Sequence, residues 1–245
     1  MNGIKGVLYR ETRVLRSRFW KVLVSSAVSP FLFLLAFGYG IGRFASVDGV
    51  DYLTFLIPGL IAMSSLNQSY GISGEINISR FYFKVFDEYL LAPVSRWEIV
   101  AGEMLYGVIK GLIPVGIILL YGVIAGAGLK ISPMFVPVMF VHLVVFSLLG
   151  IIVALVVKNH GDQMSVNTFV ITPMIFLSGT FYPVDKMPLI AKLIAHISPL
   201  TYSTQLIRCS LIGTECDVLL NMGVMLTVAA VLFITAGRIL KGVEG

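Results

Sequence analysis

Long apolar runs alternate with short polar segments along most of this chain. Six runs reach or approach the roughly 17 to 25 residues that a helix needs to cross a bilayer: 22–41, 53–73, 99–125, 135–157, 166–181 and 218–239. The run 166–181 is the weakest, because Pro173 interrupts it and Gly179 and Pro183 end it early. Five spans, or a broken fifth helix, therefore stay open. The pattern predicts an all-α integral membrane protein with six transmembrane helices in a single domain, 1–245.

The segment 1–20 predicts an amphipathic helix that lies on the inner membrane surface. Glu11 and Arg18 fall within its apolar arc, so we expect that face to meet protein as well as lipid. A simple positively charged anchor is the alternative. The apolar arc and the opposite basic arc consist, in that order, of Ile4, Val7, Leu8, Val14, Leu15 and Phe19, and of Lys5, Arg10, Arg13 and Arg16.

The segment 76–96, between the second and third runs, predicts a short amphipathic helix followed by a sharp turn. Pro93 ends this helix, because proline removes a backbone donor and disfavours helical geometry in the preceding residue. Ser95 and Glu98 have the spacing of a capping box that begins the third span. An ordinary interfacial loop is the alternative. The apolar residues at helical spacing are Ile78, Tyr82, Val85, Phe86 and Tyr89.

The connection 182–217, between the fifth and sixth runs, is longer than a turn between two spans needs to be. Pro188 and Pro199 fit the first positions of helices. We therefore expect two short helices, 189–196 and 200–212, that dip into the outer leaflet or lie on it.

Composition and charge agree with a membrane location. The chain is 57% hydrophobic and 13% charged, with a mean hydropathy of +0.92. Twelve of its 18 Lys and Arg residues lie in the segments 1–21, 74–98, 158–163 and 238–245. The positive-inside rule then places both termini in the cytoplasm of an inner-membrane protein and the connection 182–217 outside. Attraction to anionic membrane lipid explains the net charge of +5, so we expect no nucleic-acid partner.

No pattern in the sequence indicates catalysis or metal binding. His142, His160 and His196 are scattered, and no Gly-x-x-x-x-Gly-Lys-Ser/Thr phosphate loop occurs. We therefore predict no catalytic residues, no metal site, no cofactor bound by this chain and no enzymatic activity. Cys209 and Cys216 are equally compatible with a disulfide and with two free thiols.

Lys110 lies inside the third run, where an ionisable group needs a partner or a wet cavity. Glu103 is two turns away on the same helix, too far for a direct pair. Glu75, at the end of the second run, is the better candidate partner. A water-lined path and a snorkelling lysine are the alternatives.

Neutral polar groups also occur within the second and fifth runs. They would line a route for a hydroxyl-rich substrate, or equally would bridge neighbouring helices. These residues are Asn67, Gln68, Ser69, Asn167, Thr168 and Thr172.

Four short motifs give the chain a resemblance to the type-2 ABC transporter permeases, most of all to the nodulation-factor, lipo-oligosaccharide and drug exporters. They are Leu-Ile-Pro-Gly-Leu at 56–60, Leu-Ala-Pro-Val-Ser-Arg at 91–96, Leu-Ser-Gly-Thr-Phe-Tyr-Pro at 177–183 and Ser-Pro-Leu-Thr-Tyr at 198–202. The resemblance implies two permease subunits, as a homodimer or with a sibling, on two cytoplasmic ATPase subunits that bind ATP and Mg.

The resemblance also assigns roles to individual residues. ATPase contacts would come from a coupling helix and from the N-terminal helix: Tyr82, Phe86, Glu88, Tyr89, Pro93 and Arg96, with Arg10 and Arg13. The family's outer motif corresponds here to Ser178, Gly179, Tyr182, Pro183, Pro199 and Tyr202. Aromatic residues along the substrate conduit would be Phe55, Tyr70, Phe169, Phe176 and Phe181.

These observations predict a permease subunit of an ATP-driven exporter that moves an amphipathic substrate outward. Glycolipids, polysaccharides, lipids and drugs all fit the same scaffold. One alternative is a membrane-embedded enzyme acting on lipid-linked substrates, with Glu75 and Glu103 as its acids. The other is an ATP-independent channel or assembly protein.

Overall fold

The computed structural model describes residues 2–42, 46–47, 49–83 and 93–243, and these are nearly all helical. Within these residues a two-residue hairpin, Ser46–Val47 with Val50–Asp51, accompanies ten α-helices. The helices are α1 Asn2–Phe33, α2 Tyr52–Tyr70, α3 Ile72–Phe81, α4 Arg96–Ile124, α5 Phe135–Val156, α6 His160–Val166, α7 Thr172–Leu177, α8 Leu189–Ile197, α9 Pro199–Ile212 and α10 Val218–Val243.

Four stretches of helix in the described residues are long and apolar enough to cross a membrane: Gly3–Gly40, Arg96–Ile124, Phe135–Val156 and Val218–Lys241. The 19-residue α2 would extend about 28 Å at 1.5 Å per residue. It carries Asn67 and Gln68 near its end and is buried among the other helices. The count of six spans therefore stays a prediction.

The N-terminal segment forms one helix where the sequence suggested two. The 32-residue α1 continues without a break into a π-helical stretch, Leu34–Ile41. The helix has no break near residue 21, where the surface helix was expected to give way to the first span, because that region contains no proline or glycine to end it. Glu11 is buried in the face that packs along α4, so this face meets protein as expected.

The second predicted span is followed by a packed helix. Gly71 joins α2 to α3, and its N–H donates to the Asn67 carbonyl at 3.0 Å. In α3, Ile76 and Asn77 are buried against α5. The start of the predicted coupling region 76–96 therefore packs into the core at Ile76 and Asn77, whereas Ile78, the first residue of its predicted apolar stripe, is 39% exposed.

The start of α4 is capped as the sequence predicts. The Ser95 hydroxyl accepts the Glu98 N–H, and the Glu98 carboxylate accepts the Ser95 N–H at 3.1 Å. The next side chain, Trp97, stacks on Phe233 of α10 with ring centroids 5.5 Å apart. A side chain at Gly237 would clash with the Trp97 ring, so this glycine allows the close contact between α4 and α10.

In the region of the fifth predicted span, helical structure begins and ends earlier than the apolar run 166–181. Helical backbone runs from His160 through a π-helical stretch, Asn167–Ile171, to Leu177. Pro173 lies in the first turn of α7, where its missing N–H costs least. Gly179 takes a positive φ of 75°, so the chain leaves the helix before the expected end at residue 181.

The connection 182–217 contains the two short helices that were predicted, α8 and α9. Pro199 is the first residue of α9, and the Ser198 hydroxyl caps it by accepting the Leu200 N–H at 3.2 Å. The centrally placed α2 packs against α4, α5 and α9. Its backbone approaches the Gly179–Phe181 turn so closely that a Cβ on Gly59 would lie 1.9 Å from the Thr180 carbonyl oxygen.

Candidate functional site

A polar cavity of about 360 Å³ lies between α2 and α3 on one side and α6 and α7 on the other. Four of the residues predicted for a substrate route line it together: Asn67, Tyr70, Asn167 and Thr172. The other polar residues of its wall are Ser73, His160 and Gln163. The structure therefore brings together side chains that are about 100 residues apart in sequence.

Hydrogen bonds across this cavity connect its two walls. The Tyr70 hydroxyl donates to Asn167 Oδ1 at 2.7 Å. Gln163 Nε2 donates to the Ser73 hydroxyl at 2.8 Å, and Gln163 Oε1 accepts from Asn77 Nδ2. These bonds link the end of α2 and one face of α3 to α6 and the π-helical stretch. The cavity can offer hydroxyl and amide groups to a polar ligand while its walls stay joined.

The remaining predicted route residues lie elsewhere. Gln68 Nε2 donates to the Ser26 hydroxyl of α1 at 2.6 Å, so its side chain bridges helices. Phe181 is buried beneath Phe176, with ring centroids 5.5 Å apart, and also meets two rings at the end of the first span. Phe176 is 45% exposed beside it.

A second polar group, an ion-pair network, joins α3 to α4. The buried Lys110 ammonium lies 2.9 Å from Glu75 Oε1, and the Tyr106 hydroxyl donates to Glu75 Oε2 at 2.7 Å. The predicted pairing of Lys110 with Glu75 is confirmed. Because the Glu75 carboxylate is engaged twice, it is poorly suited to serve as a free acid in catalysis.

Arg10 and Arg13, the two predicted ATPase contacts on the N-terminal helix, lie in different surroundings. Arg10 pairs with the neighbouring Glu11, and its Nη2 also donates to the Ser79 hydroxyl of α3 at 3.3 Å. The guanidinium of Arg13 is exposed and stacks over the Tyr9 ring at 5.6 Å. Arg10 therefore connects α1 to α3, and Arg13 remains on the surface.

Part of the predicted coupling segment lies outside the described residues, including Phe86, Glu88 and Tyr89. At its start, Tyr82 is 69% exposed and its ring lies 5.7 Å from that of His160. At its end, Pro93 is exposed and Arg96 is the first residue of α4, with its guanidinium over the Trp97 ring at 5.5 Å.

The outer motif residues hold two short segments of chain together. The hydroxyls of Ser178 and Ser198 are 2.7 Å apart, which ties the end of α7 to the start of α9. The Gly179 carbonyl accepts from Arg208 Nη2 at 2.9 Å. The Tyr202 hydroxyl donates to the His196 carbonyl at 2.8 Å and so joins α9 to α8.

The other two members of the motif shape the turn. Pro183 precedes a short 3₁₀ helix, Val184–Lys186, and Tyr182 beside it is 42% exposed. The described contacts give this motif a structural role in holding α7, α8 and α9 together.

Sequence reasoning missed three residues of these sites. They are Gln163, which bonds to α3, Tyr106, which bonds to Glu75, and Arg208. Arg208 is buried, and its guanidinium stacks on the Phe55 ring at 3.8 Å.

Comparison with known proteins gives a consistent picture. The ABC-2 type transporter family matches residues 4–212. Nodulation protein J of Rhizobium leguminosarum bv. viciae is 29% identical over 227 residues, which cover 89% of this chain and 86% of that protein. The inner membrane transport permease YadH of Escherichia coli (strain K12) is 29% identical over 245 residues, covering 93% and 92%. Nodulation protein J of Rhizobium meliloti (strain 1021) is 29% identical over 231 residues, covering 89% and 85%.

Proposed function

The chain belongs to the ABC-2 type transporter family, and on this premise we propose that it is the permease subunit of an ATP-driven exporter. The family consists of membrane transport permeases that usually work with a cytoplasmic ATPase. We propose an arrangement of six spans in the inner membrane, with both termini cytoplasmic. Labelling of single cysteines placed at exposed Lys158 and at half-buried Lys192 tests this orientation, since the first should react only from inside and the second only from outside.

The polar cavity between α2–α3 and α6–α7 is the observation that carries the proposal. Its wall combines hydroxyl and amide groups with the apolar side chains of Met164, Ile171 and Ile175. This combination suits an amphipathic substrate that has a hydroxyl-rich part, for example a glycolipid. Two relatives carry nodulation-protein names, which is compatible with such a substrate.

The proposed power source is a pair of ATPase subunits that hold ATP and Mg. The segment 82–96 would dock in a groove of the ATPase, because an amphipathic helix can anchor by its apolar face and set its register by its charges. A second permease subunit, identical or a sibling, would complete the transport path. Binding of ATP would then shift the permease between two conformations with different substrate access.

The test is co-expression of this chain with each ABC ATPase of the source genome, followed by affinity purification and reconstitution into vesicles. One ATPase should copurify and should drive transport that depends on ATP. Glu88→Ala and Arg96→Ala should each reduce ATPase association about tenfold, the loss of one charge-assisted contact. The matched control is Lys192→Ala, at the predicted outer end, which should leave association unchanged.

Two results would contradict the proposal. Full-rate uphill transport without any ATPase subunit would refute the ATP-driven mechanism. Normal ATPase association and stimulated hydrolysis in both the Glu88 and the Arg96 variants would refute the docking assignment alone.

A further inference from the structure

A second cavity, of about 180 Å³, lies between α1, α3 and the start of α4, apart from the polar cavity described above. Its wall contains acids, arginines and apolar side chains on three helices. They are Arg10, Glu11, Val14, Arg18, Glu75, Ile76, Ile78, Ser79, Phe83 and Glu103. The basic residues of α1 place this cavity at the predicted cytoplasmic side of the membrane.

Of the three glutamates that line this cavity, Glu103 differs from the two that form ion pairs. The Glu103 side chain is only 3% exposed and lines the cavity. Glu11 pairs with Arg10, and Glu75 pairs with Lys110. Among the described residues, Glu103 has no hydrogen bond or ion pair of its own. A buried carboxylate in that position is costly unless it takes up a proton or a cationic group neutralises it.

The rim of the cavity differs from its interior. Arg18 is exposed there, and so are three apolar side chains, Val14, Ile78 and Phe83. The cavity therefore has an acid in its interior, a guanidinium at its rim and an apolar border that faces outward. This order matches a zwitterionic phospholipid whose amine enters first, whose phosphate meets the arginine and whose acyl chains lie along the border.

The amine of the ligand must carry N–H groups, because the carboxylate oxygens of Glu103 accept hydrogen bonds. The other nearby acid, Glu75, already accepts a hydrogen bond from the Tyr106 hydroxyl. A primary ammonium meets this requirement, whereas a trimethylammonium group has no N–H. The acids are also unsuited to a metal ion, since no group of three potential ligand residues is close enough to hold one in the described part of the chain.

We propose that this cavity binds the headgroup of an inner-leaflet phospholipid that carries a primary amine. Glu103 accepts hydrogen bonds from the ammonium group, and Arg18 contacts the phosphate. This inference concerns lipid binding by the permease chain itself, so it does not depend on the ATPase or on the identity of the exported substrate.

The test uses the purified full-length chain in nanodiscs or detergent with defined lipids, followed by native mass spectrometry. Phosphatidylethanolamine should bind more tightly than phosphatidylglycerol or phosphatidylcholine. Glu103→Gln, which keeps the shape of the side chain, should weaken phosphatidylethanolamine binding about tenfold or more, as expected for one lost charge-assisted hydrogen bond. Glu215→Gln is the matched control, because Glu215 is an exposed carboxylate outside this cavity, and it should leave binding unchanged.

Two results would overturn the proposal: equal binding of the three lipids by the wild-type chain, or unchanged phosphatidylethanolamine binding in Glu103→Gln. A melting curve checks that the variant is folded. If it is not folded, Arg18→Gln at the exposed rim replaces it and should weaken binding of phosphatidylethanolamine. Unchanged binding in that folded variant would equally overturn the proposal.

Discussion

The ion pair between Lys110 and Glu75 predicts that its two members differ in their effect on stability. The ammonium and carboxylate are 2.9 Å apart, and the side-chain exposure is 7% for Lys110 and 37% for Glu75. Glu75→Gln therefore leaves a positive charge that water hardly reaches. Lys110→Met leaves a carboxylate that water reaches in part and that still accepts the Tyr106 hydroxyl.

The magnitudes follow from this difference in exposure. Two unit charges at this distance attract by about 6 kcal/mol at an effective dielectric constant of about 20. Desolvation offsets much of that attraction, and loss of one partner from a buried pair typically costs about 3–5 kcal/mol. Because Glu75 is partly exposed, we expect about 3 kcal/mol for Glu75→Gln and about 1–2 kcal/mol for Lys110→Met. The double variant should lie close to Lys110→Met, since it buries no lone charge.

The assay is the free energy of unfolding in mixed micelles, measured by titration with a denaturing detergent. The matched control is Lys192→Met, which removes a pair with Asp185 at 3.2 Å whose side chains are 37% and 89% exposed. This control should cost less than about 1 kcal/mol. A Lys110→Met variant that is as unstable as Glu75→Gln would refute the argument from burial.

Two further predictions concern a glycine and a pair of cysteines. Gly59→Ala should destabilise the protein by about 3 kcal/mol or more, because the new Cβ would overlap the Thr180 carbonyl oxygen. Gly223→Ala is the control: the space around Gly223 is open, so this change should be neutral or stabilising by up to about 1 kcal/mol. Thermal unfolding of both variants checks this, and equal melting temperatures would contradict it. Burial, with a hydrogen bond to Cys209, raises the pKa of the Cys216 thiol to about 12. Because the thiolate is the reactive form, N-ethylmaleimide should alkylate Cys216 very slowly at pH 7 and faster as the pH rises. If Cys216 in a Cys209→Ser variant is alkylated at pH 7 as fast as a free thiol, this prediction is wrong.

Local rules of helix structure were sufficient for several parts of the fold. The capping box of Ser95 and Glu98 and the start of α9 at Pro199 depend on residues within one turn of each other. The pairing of Lys110 with Glu75 was predictable for a different reason. A buried ammonium requires a counter-charge, and few acids are close to it in the predicted arrangement of spans.

Other features depend on packing that no local pattern reveals. The polarity of the chain changes near residue 21, but polarity determines where a segment lies and does not by itself end a helix, so α1 continues. Asn77 is polar in sequence and fully buried in the structure, because Gln163 lies opposite it. The partner of such a residue is known only when distant helices are placed side by side.

The two faces of α3 connect the polar cavity to the ion-pair network. Ser73 and Asn77, four residues apart, bond to Gln163 of α6, whereas Glu75 and Ser79, on the opposite face, bond to α4 and α1.

Since α3 leads directly into the predicted ATPase-docking segment, a displacement of that segment should reach the cavity through the first pair. Asn77→Ala should therefore leave ATPase association intact while reducing transport per ATP hydrolysed several-fold. Ser79→Ala is the matched control on the other face, and it should reduce transport per ATP much less. Both quantities can be measured in the same reconstituted vesicles. If Asn77→Ala transports as much per ATP as the unmodified chain, force does not pass through this face of α3.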